Sequence, residues 1–187
     1  MCCIVGIDFD NTIVSYDAIM HKIALQWELI DRDTKKDKKE IRDKIRQLPN
    51  GETAWQKLQV FVYGKVMDEA VLSEGVREFF YACKNAGIPA SIVSHKTEFA
   101  RIDEDRVNLR ERALMWMQNN GFFNKEGLGL SRDCIYFEST RQAKIERIKR
   151  LRCTHFIDDL PETFQEESFP VGVEKILFAP WGQAFRP

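Results

Sequence analysis

The polarity of the chain switches abruptly near its start. Cys3-Ile4-Val5-Gly6-Ile7 is apolar and β-branched, and Asp8-Phe9-Asp10-Asn11-Thr12 follows at once. A run this short and this β-rich predicts a buried strand ending in acids. From about Ser15 to Met67 the period becomes helical. Ile19, Ile23, Ala24, Trp27 and Ile30 share one face, and the polar stretch 31–40 opens a second helix that stops before Pro49-Asn50-Gly51. A third helix is expected from Thr53, with Trp55, Leu58, Phe61 and Val62 as its apolar stripe, to a stop near Gly64. Residues 15–72 thus read as a small all-helical insertion after the first strand.

Beyond Leu72 helices and strands alternate. Helices are predicted at 75–86, 107–119 and 141–151, and strands at 90–93, 134–137, 155–157 and 174–179, the last running into Pro180-Trp181-Gly182. Such alternation means βαβ units, hence an α/β fold: a Rossmann-like parallel sheet of about five strands flanked by helices. Its core is expected to comprise 1–14 and 73–187.

Composition narrows the field. A chain of 187 residues suits one well-cored domain with a small subdomain. Its 28 basic and 29 acidic residues nearly cancel, which makes nucleic acid an unlikely partner. No stretch is apolar enough to span a bilayer and no signal peptide opens the chain, so the cytoplasm is the expected location. Cys2, Cys3, Cys83, Cys134 and Cys153 form no CxxC pair and are expected as buried, reduced thiols.

Three predicted strands end in polar side chains: Asp8 and Asp10, Ser94, and Asp158 with Asp159. The C-terminal ends of parallel strands share one edge, where ligands bind in open α/β sheets. Lys144, early in the helix before the fourth strand, reaches the same edge. Carboxylates, a hydroxyl and an ammonium in one crevice are the inventory for phosphoryl transfer through an aspartyl-phosphate, with Mg²⁺ held by the carboxylates. Ser94 and Lys144 are candidate phosphate-binding residues, together with Asn11 and Thr12 behind the acids. His95 and Lys96 are candidates for substrate contacts.

Asp8-Phe9-Asp10-Asn11-Thr12-Ile13 resembles motif I of the haloacid dehalogenase-like (HAD) superfamily. Ser94 resembles its motif II, Lys144 its motif III, and Ile157-Asp158-Asp159 its motif IV, although Leu160-Pro161-Glu162 replaces a spaced glycine–aspartate form. The resemblance implies that Asp8 is the nucleophile and Asp10 the general acid/base. It also implies that Asp8, the Asp10 backbone carbonyl and Asp159 ligate Mg²⁺, with Asp158 a second-shell or alternative ligand, and that the insertion is a C1-type cap. Relatives that cleave carbon–halogen or carbon–phosphorus bonds lack the second aspartate, so Asp10 points to phosphate esters. The expected activity is a Mg²⁺-dependent phosphomonoester hydrolase for a small phosphorylated metabolite. The alternatives are a nucleotide or polynucleotide-end phosphatase of the same fold, and a non-catalytic binding protein that keeps the fold.

Overall fold

The computed structural model describes residues 3–100, 102 and 105–180. In chain order it contains β1 (Val5–Ile7), β2 (Val14–Ser15), α1 (Asp17–Gln26), α2 (Lys38–Arg46), α3 (Gly51–Val60), β3 (Val71–Leu72) and α4 (Val76–Asn85). These are followed by β4 (Ala90–His95), α5 (Leu109–Asn119), β5 (Ile135–Glu138), α6 (Arg141–Arg150), β6 (His155–Asp158), α7 (Pro161–Gln165) and β7 (Glu174–Leu177). Cys2, Trp181 and Gly182 lie outside the described residues.

Five strands form a parallel sheet in the order β5-β4-β1-β6-β7. The first strand is therefore its centre, with Ile7 level with Ile92 of β4 and Ile157 of β6. Crossover helices on both faces keep such strands apolar throughout, which is why β1 reads as an unbroken run. Gly6 in its middle is fixed by packing. A Cβ there would come within 2.6 Å of the Phe156 ring and 3.0 Å of Cys153 Sγ. Phe156 joins Val93, Ile145, Ile148 and Phe169 in a buried cluster.

The chain divides into two compact units. One comprises the chain up to Ile13, Ser73–Lys96 and the chain from Phe122 onward, and it holds the parallel sheet. The other combines Val14–Leu72 with Thr97–Gly121. The sequence pattern placed 97–121 with the core, but α5 packs within the second unit instead. Trp116 Nε1 donates to the Ala70 carbonyl at 2.9 Å, and Arg112 Nε donates to the Gly64 carbonyl at 2.7 Å. Both partners belong to a part of the chain that ends some forty residues earlier, which periodicity cannot reveal.

Among the described residues, the regular elements of the second unit are helices and a two-stranded antiparallel ribbon of β2 and β3. Each ribbon strand has two residues, too few to show alternation. The third helix continues past Val60 into a π-helical turn, Phe61–Lys65. Gly51, its first residue, sits so close to α2 that a Cβ would lie 2.1 Å from the Ile45 carbonyl oxygen. Two further departures concern the sheet. β4 runs two residues past Val93, and the short α7, with Pro161 in its first turn, follows β6. Cys83 and Cys153 are buried free thiols as expected, whereas Cys3 and Cys134 are only half-buried. Burial pushes the Cys153 thiol up to about 11, which makes it inert.

Candidate active site

The two carboxylates of the first strand end are held differently. Asp8 leaves β1 with its backbone N–H donating to the Ile157 carbonyl at 2.8 Å, which brings it beside Asp158 at the end of β6. Lys144 joins the two. Its Nζ donates to Asp8 Oδ1 at 2.6 Å and to Asp158 Oδ2 at 2.7 Å. All three are buried: 4% exposure for Asp8, 2% for Lys144 and none for Asp158.

Lys144 reaches this position because α6 starts at the edge where β5 ends. Thr140 caps that helix, its side chain accepting from the Ala143 N–H at 3.1 Å, so Lys144 falls in the first turn. Lys149, further along the same helix, is exposed. Asp158 is fixed a second time, since its Oδ1 accepts the Leu160 N–H at 2.9 Å. Asp159 completes the group. Ligand oxygens of Asp8, Asp158 and Asp159 all lie within 4.8 Å of one another.

Burial pushes the Asp8 carboxyl up to about 6; the Lys144 ammonium pulls against this, while Asp158 and Asp10 add to the rise. Burial alone would lower Lys144, yet the charges of Asp8 and Asp158 outweigh it and hold the ammonium above its ordinary value. Three oxygen donors of this kind suit a hard divalent cation. The charge count agrees. Asp8, Asp10, Asp158 and Asp159 against Lys96 and Lys144 leave four minus two, or two negative charges.

Asp10 lies apart from that cluster. Its two oxygens receive Lys96 Nζ at 2.9 and 2.8 Å. Ser94 is buried near the end of β4, two residues beyond the Ile7–Ile92 pair and level with Phe137 of β5. Asn11 adopts a left-handed conformation (φ 62°), which turns the chain sharply behind the acids. The Thr12 hydroxyl and the Asn11 side-chain oxygen are buried with no hydrogen-bond partner among the described residues. His95 is exposed, and Glu162 is exposed in the first turn of α7.

The structure thus brings Asp8, Asp10, Lys96, Lys144, Asp158, Asp159 and Ser94 to one edge. It turns Lys96 inward onto Asp10, where the sequence suggested a substrate contact.

This architecture is the fold of the HAD hydrolases. The chain is similar to a HAD family hydrolase from Deinococcus radiodurans R1 solved with bound phosphate and sodium, at 16% identity and a TM-score of 0.54 over 94% of this chain and 79% of that one. A family IA, variant 3 HAD hydrolase from Entamoeba histolytica gives 13% and 0.56 over 96% and 85%. A hydrolase from Streptococcus pneumoniae TIGR4 gives 13% and 0.55 over 96% and 94%. No protein-family model and no curated protein sequence matches the chain. Among the described residues no helix is long and apolar enough to cross a membrane.

Proposed function

We propose that the protein is a Mg²⁺-dependent phosphomonoester hydrolase acting on a small phosphorylated metabolite. The observation that carries this reading is the buried Asp8–Lys144–Asp158 triad beside Asp159, with Asp10 two residues on. Asp8, Asp159 and Asp158 would hold the cation, which when bound offsets the charge of the phosphoryl oxygens.

Lys144 orients the Asp8 carboxylate. An Asp8 oxygen attacks phosphorus, the ester P–O bond breaks, and the leaving oxygen takes a proton from Asp10. Asp10 then accepts a proton from water, whose oxygen bonds to phosphorus as the aspartyl P–O bond breaks and Asp8 is restored. Ser94, Thr12 and Lys144 supply donors for the phosphoryl oxygens. The unit built from Val14–Leu72 and Thr97–Gly121 is proposed as the C1-type cap that selects the substrate.

The test is phosphate release from p-nitrophenyl phosphate and a phosphometabolite panel, including nucleotides, with Mg²⁺ and with Asp8→Asn as the blank. Activity that survives in Asp8→Asn sinks the mechanism, because an amide is a far poorer nucleophile. The same panel separates metabolite from nucleotide substrates.

A further inference from the structure

Asp10 stands outside the cluster that Lys144 joins, and it has a buried lysine of its own. We propose that Lys96 is a positioning residue for Asp10, fixing its carboxylate for proton transfer; this rests on the hydrolase reading above. Lys96 Nζ lies 2.9 and 2.8 Å from the two Asp10 oxygens, and therefore between them. It occupies their inner lone pairs and fixes the plane of the carboxylate.

Lys96 has little freedom of its own. Its backbone N–H donates to the Glu138 carbonyl at 2.9 Å, and its ammonium lies 5.6 Å from the centroid of the fully buried Phe9 ring. Exposure decides between a positioning role and a direct contact. The Lys96 side chain is 2% exposed and that of Asp10 is 16%. A ligand arriving from solvent meets the carboxylate first, with the ammonium behind it. When the ester P–O bond breaks and the Asp8–phosphorus bond forms, the proton passes from Asp10 to the leaving oxygen, and Lys96 keeps all three of its own.

The test compares wild type, Lys96→Met, Lys96→Arg, Asp10→Asn and the double variant Asp10→Asn/Lys96→Met on an alkyl phosphate and on p-nitrophenyl phosphate, with Mg²⁺. In this scheme kcat/KM reports the steps up to aspartyl-phosphate formation, and nitrophenolate leaves without needing a proton. Lys96→Met should lower kcat/KM for the alkyl ester by about 10- to 100-fold, part of the 10²–10⁴ that a positioned acid supplies, and for the aryl ester by far less. Lys96→Arg should recover most of the loss, and Lys96→Met should change little once Asp10 is already Asn. Should Lys96→Met fail to fold, the comparison of Asp10→Asn with the double variant, which removes both charges, carries the same test.

Equal losses on the two esters, or a double variant well below Asp10→Asn, overturn the positioning role while leaving the hydrolase reading intact. A wild type inert on both esters overturns the two together.

Discussion

Replacing the Asp8 carboxylate by the amide of the same shape is expected to stabilise the metal-free protein, by an amount that grows with pH. Burial raises the Asp8 pKa from 3.8 to about 6. Between these values the folded state holds a proton that the unfolded state has lost, so unfolding releases it and stability falls as pH rises. The window spans about two pH units, and at ~1.4 kcal/mol each the ionised carboxylate costs ~3 kcal/mol once the pH is above 6. Below pH 4 the cost is absent, because Asp8 is neutral in both states.

Asp8→Asn lacks this dependence. Urea unfolding in EDTA should show it matching wild type near pH 4 and exceeding it by about 3 kcal/mol at pH 8, a figure that already contains the attraction of Asp8 to Lys144. If the proposed Mg²⁺ site is right, added Mg²⁺ should reverse the order at pH 8 by binding the folded wild type and relieving the repulsion. A difference that does not vary with pH, or an Asp8→Asn variant less stable than wild type at pH 8 in EDTA, would refute the argument.

Lys144→Met removes the ammonium that joins two buried carboxylates and should cost ~3–5 kcal/mol in urea unfolding at pH 7, with part recovered when Asp8→Asn is added. Gly51→Ala places a Cβ 2.1 Å from the Ile45 carbonyl oxygen and should cost ~1–3 kcal/mol, with hydrogen exchange accelerated first in α2 and α3. Trp116→Phe leaves the Ala70 carbonyl without its 2.9 Å donor and should cost ~1–3 kcal/mol, read from the denaturation midpoint.

The sheet was legible because each strand end announces itself in the chain. Val5–Ile7 is apolar and then acidic, and a strand covered on both faces has no polar alternation to blur that break. Lys144 was legible because a helix following β5 must begin at the edge where β5 ends. What stayed hidden has a common cause. The β2–β3 ribbon, the union of α5 with Val14–Leu72, and the turning of Lys96 onto Asp10 are all contacts between segments far apart in the chain. Periodicity reports only how a segment faces its own neighbours.

The Lys96 pairing shows what such a contact adds. From spacing alone, Lys144 and four carboxylates form one pool of charge, with Lys96 a candidate substrate contact beside it. In the structure they divide into two groups: Asp8 goes to Lys144 with Asp158, and Asp10 goes to Lys96. Like charges two residues apart repel, and a cation beside each offsets that repulsion. Distinct lysines let one acid be buried while the other keeps part of its surface open to solvent. In the proposed mechanism, the division of labour between Asp8 as nucleophile and Asp10 as proton shuttle follows from the lysine that each one meets as much as from the acids themselves.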